Sequence, residues 1–506
     1  MSERPSIFEL GARRLTRLDL VEIADGRRQL GLNPDGEGYA RLARSAAALA
    51  SMRDEGKAIY GVTTGFGASA DQVVPAQAAA ALALNLPRYH GCGVGPELDA
   101  RTARAVVAVR CATWCGGWSA IRPEVVQRIV ELLQEGVTPC IPARGSVGAS
   151  GDLTPLSYLC TLLNGERELE WQGRRRRGVE LLRELGYEPI ALGPKESLAI
   201  MNGTAVTTAI VGLEMSRLER LVAWIARSTA MASWAMRGRA DHFDARIYEA
   251  KAHPGSARFA SWVRESLEVG DAPPSDGARM QDRYSLRCSP QIAGIALDAL
   301  EFSDPWLERE MNGAGDNPLI DAERGEALHG GNFYAGHMCF VADGLKTAGA
   351  NLCDLIERQL LLLDDPSQNG GLPRNLVGVS EGAEAHHGFK AMEITASALT
   401  AEALAACMPS SVFSRSTEGH NQDKVSMGSL AARDLSRILD NLEWVVSIHL
   451  MAVAQAVELR GIEEAPAPIR QTWAWVRERA DFVGADRRMD LDLQRIRPDL
   501  RLWPPG

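Results

Sequence analysis

The chain has 506 residues, of which 45% are hydrophobic, so we expect a folded globular protein with a large core and not a disordered one. Its formal net charge of −10 argues against a general nucleic-acid-binding face, which needs an excess of basic residues. The nine cysteines include no CxxC pair, which argues against a metal site and indicates reduced thiols in a cytoplasmic protein.

The N-terminal part of the chain predicts short helices followed by a loop. Residues 1–20 hold no apolar signal core, and a helix is expected to begin near Thr16. Residues 59–67 (IYGVTTGFG) contain three glycines and two threonines, which favours a loop. Most tyrosines on loops are partly buried anchors, and a proton-transfer group is the functional alternative for Tyr60.

A second glycine-containing segment precedes two predicted helices. Residues 85–95 (NLPRYHGCGVG) do not predict a nucleotide loop, because no strand precedes them and no Lys-Ser/Thr follows. A lone histidine such as His90 is more often structural than functional. Residues 101–115 and 123–135 are apolar at helical spacing, and the second run begins at proline and stops at glycine.

Residues 144–158 (RGSVGASGDLTPLSY) are the most informative stretch. Gly151 has no Cβ, so its backbone nitrogen can approach the carbonyl carbon of Ala149. Closing that ring and losing the Ser150 hydroxyl as water gives an imidazolone with an exocyclic methylene, an electrophile that no natural side chain supplies. Taken alone, the tripeptide is more typical of a small-residue turn before a helix, with Asp152 as N-cap and residues 153–163 as the helical run.

The rest of the chain predicts a mainly α protein. The basic run Arg174–Arg177 is expected to be a solvated loop. Apolar stripes and few β-branched runs predict an elongated bundle of long helices. The predicted long helices are residues 205–236, 338–363, 388–408 and 428–460. The predicted domains are an N-terminal loop-rich domain with the 144–158 stretch (1–202), the central bundle (203–464) and a tail packing on it (465–506).

Several polar segments lie between these helices. They are residues 281–288, 315–318, 329–333 and 418–427. Arg287 is either a structural ion-pair partner or a two-pronged clamp for a carboxylate. The high polar density of residues 418–427 between two apolar helices indicates the wall of a site.

The 144–158 stretch resembles, almost letter for letter, the active-site segment of ammonia-lyases and aminomutases that use 4-methylidene-imidazole-5-one (MIO). These include the histidine, phenylalanine and tyrosine ammonia-lyases, and further motifs share the resemblance from about residue 55 to about residue 460. The resemblance implies a fumarase/aspartase-like helical fold and MIO formed from Ala149, Ser150 and Gly151, with no metal. It also implies a homotetramer in which Tyr60, the MIO loop and residues 418–423 of one site come from different subunits.

The resemblance further implies a role for each matching residue. Tyr60 takes the place of the catalytic base, for which it would need a lowered pKa, and Tyr284 assists proton transfer. Arg287 holds the substrate carboxylate, Asn202 bonds the MIO carbonyl, and Phe333 packs beside the MIO ring. The other predicted substrate-binding residues are Tyr89, His90, Gln281, Asn317, Lys390, Glu418 and Gln422.

The expected reaction is elimination of ammonia from an aromatic L-amino acid to give a trans-arylacrylate. Gln422 stands where histidine lyases carry a glutamate, and the polar pair Tyr89-His90 differs from the Phe-Leu typical of phenylalanine lyases, so tyrosine is favoured, then phenylalanine. Because His90 matches a histidine of the histidine lyases, histidine or a derivative is the alternative. An aromatic 2,3-aminomutase shares every motif, whereas an inactive helical scaffold is disfavoured because Ser150, Tyr60 and Arg287 are present.

Overall fold

A computed structural model describes residues 5–272 and 279–505. Helices account for 59% of the residues, which confirms the mainly α class. The α-helices are Arg17–Ala24, Glu37–Asp54, Ala76–His90, Ala100–Trp114, Pro123–Gln134, Leu153–Leu156, Thr161–Asn164, Gly178–Glu184, Glu196–Met201, Ala205–Ala235, Ala245–Lys251, Pro254–Ser266, Tyr284–Arg287, Ser289–Asn312, Gly336–Asp364, Lys390–Ala405, Gly428–Arg460, Ala467–Arg477 and Asp490–Ile496. The 3-10 segments are Gly67–Ser69, Ser157–Cys160, Ala240–Phe243, Arg374–Leu376, Ala383–Ala385, Ser410–Phe413, Ile462–Glu464 and Arg497–Arg501.

The strands of the described residues form small sheets. Ser6–Glu9 pairs in parallel with Arg28–Gly31, and the other pairings are antiparallel. The antiparallel pairs are Val94–Glu97 with Pro142–Arg144, Thr138–Pro139 with Glu168–Trp171, Glu168–Trp171 with Arg174–Arg177, and Leu319–Asp321 with Glu326–Leu328. Sheets of this size are local attachments to a helical fold and do not form its core.

The prediction of a solvated loop at Arg174–Arg177 is wrong, because these residues form the outer strand of a hairpin. The register places Glu168 opposite Arg177 and Glu170 opposite Arg175, so opposite charges face each other across the ladder. Arg176 also pairs with Glu184 at 2.5 Å. Glu168 and Glu170 of the preceding strand therefore offset the repulsion among the neighbouring arginines.

Clustering of backbone contacts divides the chain into two compact units. Unit 1 comprises residues 1–213, 304–343 and 409–433, and unit 2 comprises residues 214–303, 344–408 and 434–506. Several long helices have residues in both; Ala205–Ala235, for example, contributes residues 205–213 to unit 1. The domain boundaries predicted at residues 202 and 464 remain a prediction.

The long helices begin and end close to where the sequence predicts. Thr16 caps the helix Arg17–Ala24 with a reciprocal pair of hydrogen bonds to Asp19, at 3.2 Å and 3.1 Å. The helix Gly428–Arg460 stops at Gly461, whose φ of +110° ends the helical geometry. This helix is long and apolar enough to cross a membrane, but 78% of its most apolar window is buried within the protein, as in a core helix.

The prediction that Asp152 caps a continuous helix over residues 153–163 is wrong. The run forms two single helical turns with the 3-10 segment Ser157–Cys160 between them, and it ends at Gly165 with φ +66°. The Asp152 carboxylate instead accepts hydrogen bonds from Thr207 N at 2.8 Å and Thr207 Oγ1 at 2.9 Å. Asp152 therefore satisfies an unpaired N–H in the first turn of the helix Ala205–Ala235.

Candidate active site

The loop at residues 148–152 adopts a backbone geometry that suits only glycine at two positions. Gly148 has φ +72° and Gly151 has φ +75°. A Cβ on Gly151 would overlap the carbonyl group of Gly203, and a Cβ on Gly148 would overlap Ser426 Oγ. Asp152 N donates to Gly203 O at 2.7 Å, so the loop lies directly against residues 202–203. Both glycines are required by close backbone approach as well as by their positive φ.

Asn202 and Gln422 contact Ser150 from two sides. Asn202 Nδ2 donates to Ser150 O at 3.1 Å, and Gln422 Nε2 lies 3.5 Å from Ser150 Oγ. Among the described residues, the buried Oδ1 of Asn202 has no hydrogen-bond partner. A buried acceptor without a donor is costly in a folded protein, so this atom is suited to a donor on a ligand.

The residues present fit the MIO group. The Ser150 carbonyl, which becomes the ring carbonyl on cyclisation, already accepts the Asn202 amide. Within residues 5–272 and 279–505, no hydrogen bond is made by Gly151 N, the atom that must attack the carbonyl carbon of Ala149. Ser146 Oγ donates to Gly151 O at 3.3 Å and accepts from Gly148 N at 3.1 Å, which holds the turn closed.

Residues 425–429 hold the other side of this loop. Met427 N donates to Val147 O at 3.1 Å, and Ser426 Oγ donates to Gly148 O at 3.2 Å. Ser429 Oγ donates to Ser146 O at 3.2 Å. The segment before the helix Gly428–Arg460 therefore fixes the loop by backbone and hydroxyl contacts, leaving Ser150 for Asn202 and Gln422.

Arg110 holds the backbone carbonyl group of Asn202. Its guanidinium is 1% exposed and donates to the carbonyls of Ala199, Ile200 and Asn202, the last at 2.7 Å. These are carbonyls at the C-terminal end of the helix Glu196–Met201, which have no acceptor role inside the helix. Arg110 was not predicted as a site residue, and an arginine within the apolar run of residues 101–115 was the available signal.

Tyr60 lies on the predicted loop. Its Oη accepts a hydrogen bond from Gly67 N at 2.8 Å, and its ring packs edge-on against Phe66. A Cβ on Gly67 would overlap the Glu418 carboxylate, so that acidic group lies beside the phenol. Burial raises the pKa of Tyr60, and Glu418 raises it further against the lowering effect of the Gly67 hydrogen bond. The lowered pKa that a tyrosine base needs is therefore not provided by these neighbours.

Tyr89 and His90 lie in the last turn of the helix Ala76–His90. Their ring centroids are 4.5 Å apart. Burial raises the pKa of Tyr89 to about 12, with smaller contributions from Glu418 and Tyr60. Burial lowers the pKa of His90, and Glu418 opposes the shift, so this imidazole is neutral at physiological pH. The shared influence of Glu418 places these two rings and Tyr60 in one electrostatic environment.

Residues 417–422 contact both the Tyr60 loop and the Ser150 loop within one chain. Asn421 Nδ2 donates to Glu418 Oε2 at 3.1 Å, and Thr417 Oγ1 donates to Gln422 Oε1 at 2.8 Å. Glu418 thus faces the Tyr60 loop while Gln422 faces Ser150. The expectation that Tyr60, the MIO loop and residues 418–423 come from different subunits is wrong, because the turn before the helix Gly428–Arg460 brings them together in one chain.

The remaining predicted residues of unit 1 lie on turns. Asn317 Oδ1 accepts from Gly330 N at 2.8 Å, so it fixes the turn of residues 329–333, and its role in the substrate pocket remains a prediction. Phe333 is half-buried in that same turn, just before the helix Gly336–Asp364. No contact of Phe333 with residues 149–151 is present among the described residues, so its place beside the ring remains a prediction.

Four predicted residues belong to unit 2, namely Gln281, Tyr284, Arg287 and Lys390. The Arg287 guanidinium lies 4.5 Å from the centre of the Tyr284 ring, and its Nε donates to Asp282 O at 3.1 Å. In the described part of the chain, no carboxylate forms an ion pair with Arg287. Tyr284 is 70% exposed, Gln281 is also exposed, and Lys390 is the exposed first residue of the helix Lys390–Ala405.

The sequence and structure match known proteins along nearly the whole chain. The profile of the family described as "Aromatic amino acid lyase" matches residues 15–478. The histidine ammonia-lyase of Paracidovorax citrulli is 37% identical over 100% of this chain and 98% of its own. The tyrosine ammonia-lyase of Cupriavidus metallidurans is 39% identical over 88% of this chain and 87% of its own. The solved tyrosine aminomutase of Streptomyces globisporus has a TM-score of 0.92 and 32% identity, covering 98% of this chain and 97% of that one.

These matches confirm the resemblance inferred from residues 144–158 and the helical class inferred from the long apolar runs. They also confirm the prediction of a carbon–nitrogen lyase at the level of the family. Similar proteins include both ammonia-lyases and aminomutases. The matches therefore establish the family but do not decide between the lyase and the aminomutase reaction. The chain belongs to the aromatic amino acid lyase family, whose members depend on MIO.

Proposed function

We propose that the protein eliminates ammonia from an aromatic L-amino acid, with tyrosine as its preferred substrate. The observation that carries this proposal is the chemistry around the Ser150 loop. A neutral amide, Gln422, lies at Ser150, and a half-buried neutral imidazole, His90, lies beside Tyr89. A neutral imidazole can exchange a hydrogen bond with a phenol hydroxyl, whereas a phenylalanine ring offers no partner.

The groups in unit 1 have different roles in the proposed reaction. MIO formed from Ala149, Ser150 and Gly151 would supply the electrophile that activates the substrate for loss of ammonia. Asn202 holds the carbonyl of that segment, and its unpaired Oδ1 offers an acceptor to a substrate N–H. Tyr60 is the proposed base that removes the β-proton, since its phenol lies close enough to Tyr89 to contribute to the raised pKa of that residue.

The substrate carboxylate requires a cation, and we propose that Arg287 provides it. Its guanidinium has no ion-pair partner among the described residues, and a planar two-pronged donor suits a carboxylate. We propose that Tyr284 assists proton transfer, and that Gln281 and Lys390 line the same wall. A cation at the substrate carboxylate would also favour the phenolate of Tyr60, opposing the effect of Glu418.

We propose that the active form is a homotetramer in which one subunit supplies Tyr60 and the Ser150 loop and another supplies Arg287. The long helices of a single chain leave large apolar side chains exposed, such as Phe302 and Phe340, and symmetric association would cover them. We also propose a cytoplasmic location, consistent with nine free cysteines.

Histidine is the second candidate substrate. The Glu418 carboxylate lies close enough to oppose the burial-driven fall in the pKa of His90 and to add to the rise in the pKa of Tyr89. An acidic group of this kind can pair with a substrate imidazole. Several relatives, including that of Paracidovorax citrulli, are named histidine ammonia-lyases. A 2,3-aminomutase reaction is the third candidate. It requires the same groups, and the product must stay bound in the site for longer.

Substitution of His90 distinguishes these candidates. With tyrosine as substrate, His90→Phe should shift preference toward phenylalanine by about tenfold or more, because removal of a half-buried polar group lifts the penalty on a ring without a hydroxyl. The measurement is kcat/KM for tyrosine, phenylalanine and histidine in both proteins, together with detection of any β-amino acid.

The matched control is His253→Phe, which makes the same replacement at an exposed histidine whose side chain forms no cap hydrogen bond. This control should behave as the wild type. If His90→Phe abolishes all activity with no gain on phenylalanine, histidine becomes the assigned substrate. If the ratios stay the same, His90 does not determine selectivity.

A further inference from the structure

The last turn of the helix Ala76–His90 carries Tyr89 and His90. Few hydrogen bonds within the helix hold this turn in place. Pro87 lies inside the helix and has no N–H to donate. The helix ends at Gly91, whose N–H donates to Pro87 O at 3.1 Å. Cys92 N also donates to His90 O at 2.8 Å. The other carbonyl groups of a final turn lack partners within the helix, so an external donor can fix the turn further.

Arg167 is that external donor. Its Nη1 donates to Gly91 O at 3.1 Å, and its Nη2 donates to Pro87 O at 3.2 Å and to Arg88 O at 3.4 Å. One guanidinium therefore binds three carbonyl groups around the end of this helix. A cation at a helix C-terminus also interacts favourably with the negative end of the helix dipole.

Arg167 is itself held by the segment that contains Ser150. Its guanidinium lies 4.7 Å from the centre of the Tyr158 ring, and Tyr158 Oη accepts from Gly93 N at 3.2 Å. Tyr158 is on the 3-10 segment Ser157–Cys160, a few residues beyond Ser150. Arg167 and Tyr158 thus connect the end of the Tyr89-His90 helix to the chain that forms the reactive loop.

Gly91 lies in close contact with the Arg167 guanidinium. Its φ of −74° is ordinary for any residue, so its backbone conformation does not require glycine. A Cβ at this position would overlap the Arg167 guanidinium. A side chain at position 91 would therefore displace the Arg167 guanidinium, although the backbone of the turn accepts one.

We propose that Arg167 is a positioning residue for substrate selectivity. It fixes the last turn of the helix Ala76–His90, and so fixes Tyr89 and His90 relative to the Ser150 loop at the distance that admits a polar aromatic ring. This inference rests on the proposed function, because it assigns the ring-recognition role to Tyr89 and His90. Arg167 does not touch the reacting atoms.

The test is substitution of Arg167 with three measurements. Arg167→Ala should retain the absorbance band of MIO but shift the ratio of kcat/KM for tyrosine or histidine to that for phenylalanine by about tenfold toward phenylalanine. Arg167→Lys should shift the ratio in the same direction, because a point charge cannot bind three carbonyl groups and stack on a ring. The matched control is Arg128→Ala, whose arginine also stacks on a tyrosine, Tyr187, and donates to a carbonyl, that of Glu188; it should leave the ratio unchanged.

A double-mutant cycle with Gly91 tests the geometry itself. Gly91→Ala should shift the ratio as Arg167→Ala does, because the new Cβ displaces the guanidinium. In the Arg167→Ala background the same change should have less than about a twofold effect. Effects of the two substitutions that simply multiply would overturn the inference.

Two other results have distinct meanings. If the wild type turns over substrate and Arg167→Ala lowers kcat/KM for all three amino acids equally, the inference is overturned and the proposed function stands. If the wild type turns over none of the three amino acids, the proposed function fails and the inference fails with it.

Discussion

At Gly151 the chain combines a positive φ with a carbonyl contact that leaves no room for a side chain. That single residue explains how a backbone amide can lie near the carbonyl carbon of Ala149 while its N–H has no hydrogen-bond partner among the described residues. Within the described part of the chain, the side chains that hydrogen-bond to Ser150 are the amides of Asn202 and Gln422. The absence of a strong base at Ser150 is consistent with a serine that is dehydrated and is not used as a nucleophile.

Tyr60→Phe should preserve the fold and the MIO absorbance but lower kcat by at least about a hundredfold, because it removes only the proton acceptor. The Gly67 N–H loses its acceptor, a loss of about 1 kcal/mol in stability. Tyr39→Phe, at a half-buried tyrosine of the helix Glu37–Asp54, is the control. A Tyr60→Phe enzyme with the wild-type kcat would remove Tyr60 from the mechanism.

The long helices could be predicted from the sequence because their apolar periodicity is continuous and their ends carry glycine or proline. Gly428–Arg460, for example, has a clear apolar stripe and a glycine directly after its last residue. The helix Ser289–Asn312 was missed because its polar residues and an internal Pro305 interrupt the pattern. Hydrogen bonds between distant segments, such as that of Asp152 to Thr207, carry no local signal, so no reading of residues 152–163 alone could find them.

The site was predictable to the extent that its residues form local motifs. Ser150, Asn202 and Gln422 were identified through resemblance, and the structure brings them into contact. Arg110 and Arg167 were not identified, because an isolated arginine has many possible roles and only its carbonyl partners reveal which one it has. Supporting residues of this kind require the three-dimensional arrangement.

The helix Gly428–Arg460 carries a buried histidine that should make stability depend on pH. Burial lowers the pKa of His449 to about 3, and among the described residues neither ring nitrogen has a hydrogen-bond partner. As pH falls below about 6.5 the unfolded chain gains a proton that the folded chain does not bind. Folded-state stability is therefore lost from about pH 6.5 downward until the folded pKa is reached.

Replacing His449 by leucine should remove that loss. Between about pH 7.5 and about pH 5.5 the wild type should lose about 1 kcal/mol more stability than His449→Leu, measured as the difference in thermal unfolding midpoints. His253→Leu, at an exposed site, should keep the wild-type pH dependence. Identical pH dependence in wild type and His449→Leu would show that His449 is protonated or hydrated in the folded protein.

At the scale of the whole molecule, the predicted residues fall into two groups within one chain. Tyr60, His90, Ser150 and Glu418 belong to unit 1, whereas Arg287 belongs to unit 2. In the proposed site, a second copy of the chain supplies Arg287 as the cation for the substrate carboxylate. That cation would also counter the net rise in the pKa of Tyr60, which the Gly67 hydrogen bond opposes but does not cancel.

Mixing two inactive variants tests this sharing. Tyr60→Phe and Arg287→Ala tetramers, dissociated and reassociated at equal concentration, should regain about a quarter of the wild-type activity, because that fraction of sites receives both native residues. Each variant reassociated alone is the control. A fully active monomer, or mixed tetramers that remain inactive, would contradict the shared site.

The most direct test of the account is the intact mass of the purified protein, compared between wild type and Ser150→Ala. Active wild-type protein should be lighter than its sequence mass by two waters and show the absorbance of MIO. Ser150→Ala should fold, lack that band and lose nearly all turnover. Active wild-type protein with the unmodified mass, or a Ser150→Ala variant that retains wild-type turnover, would contradict the claim that the catalytic electrophile is formed from Ala149, Ser150 and Gly151.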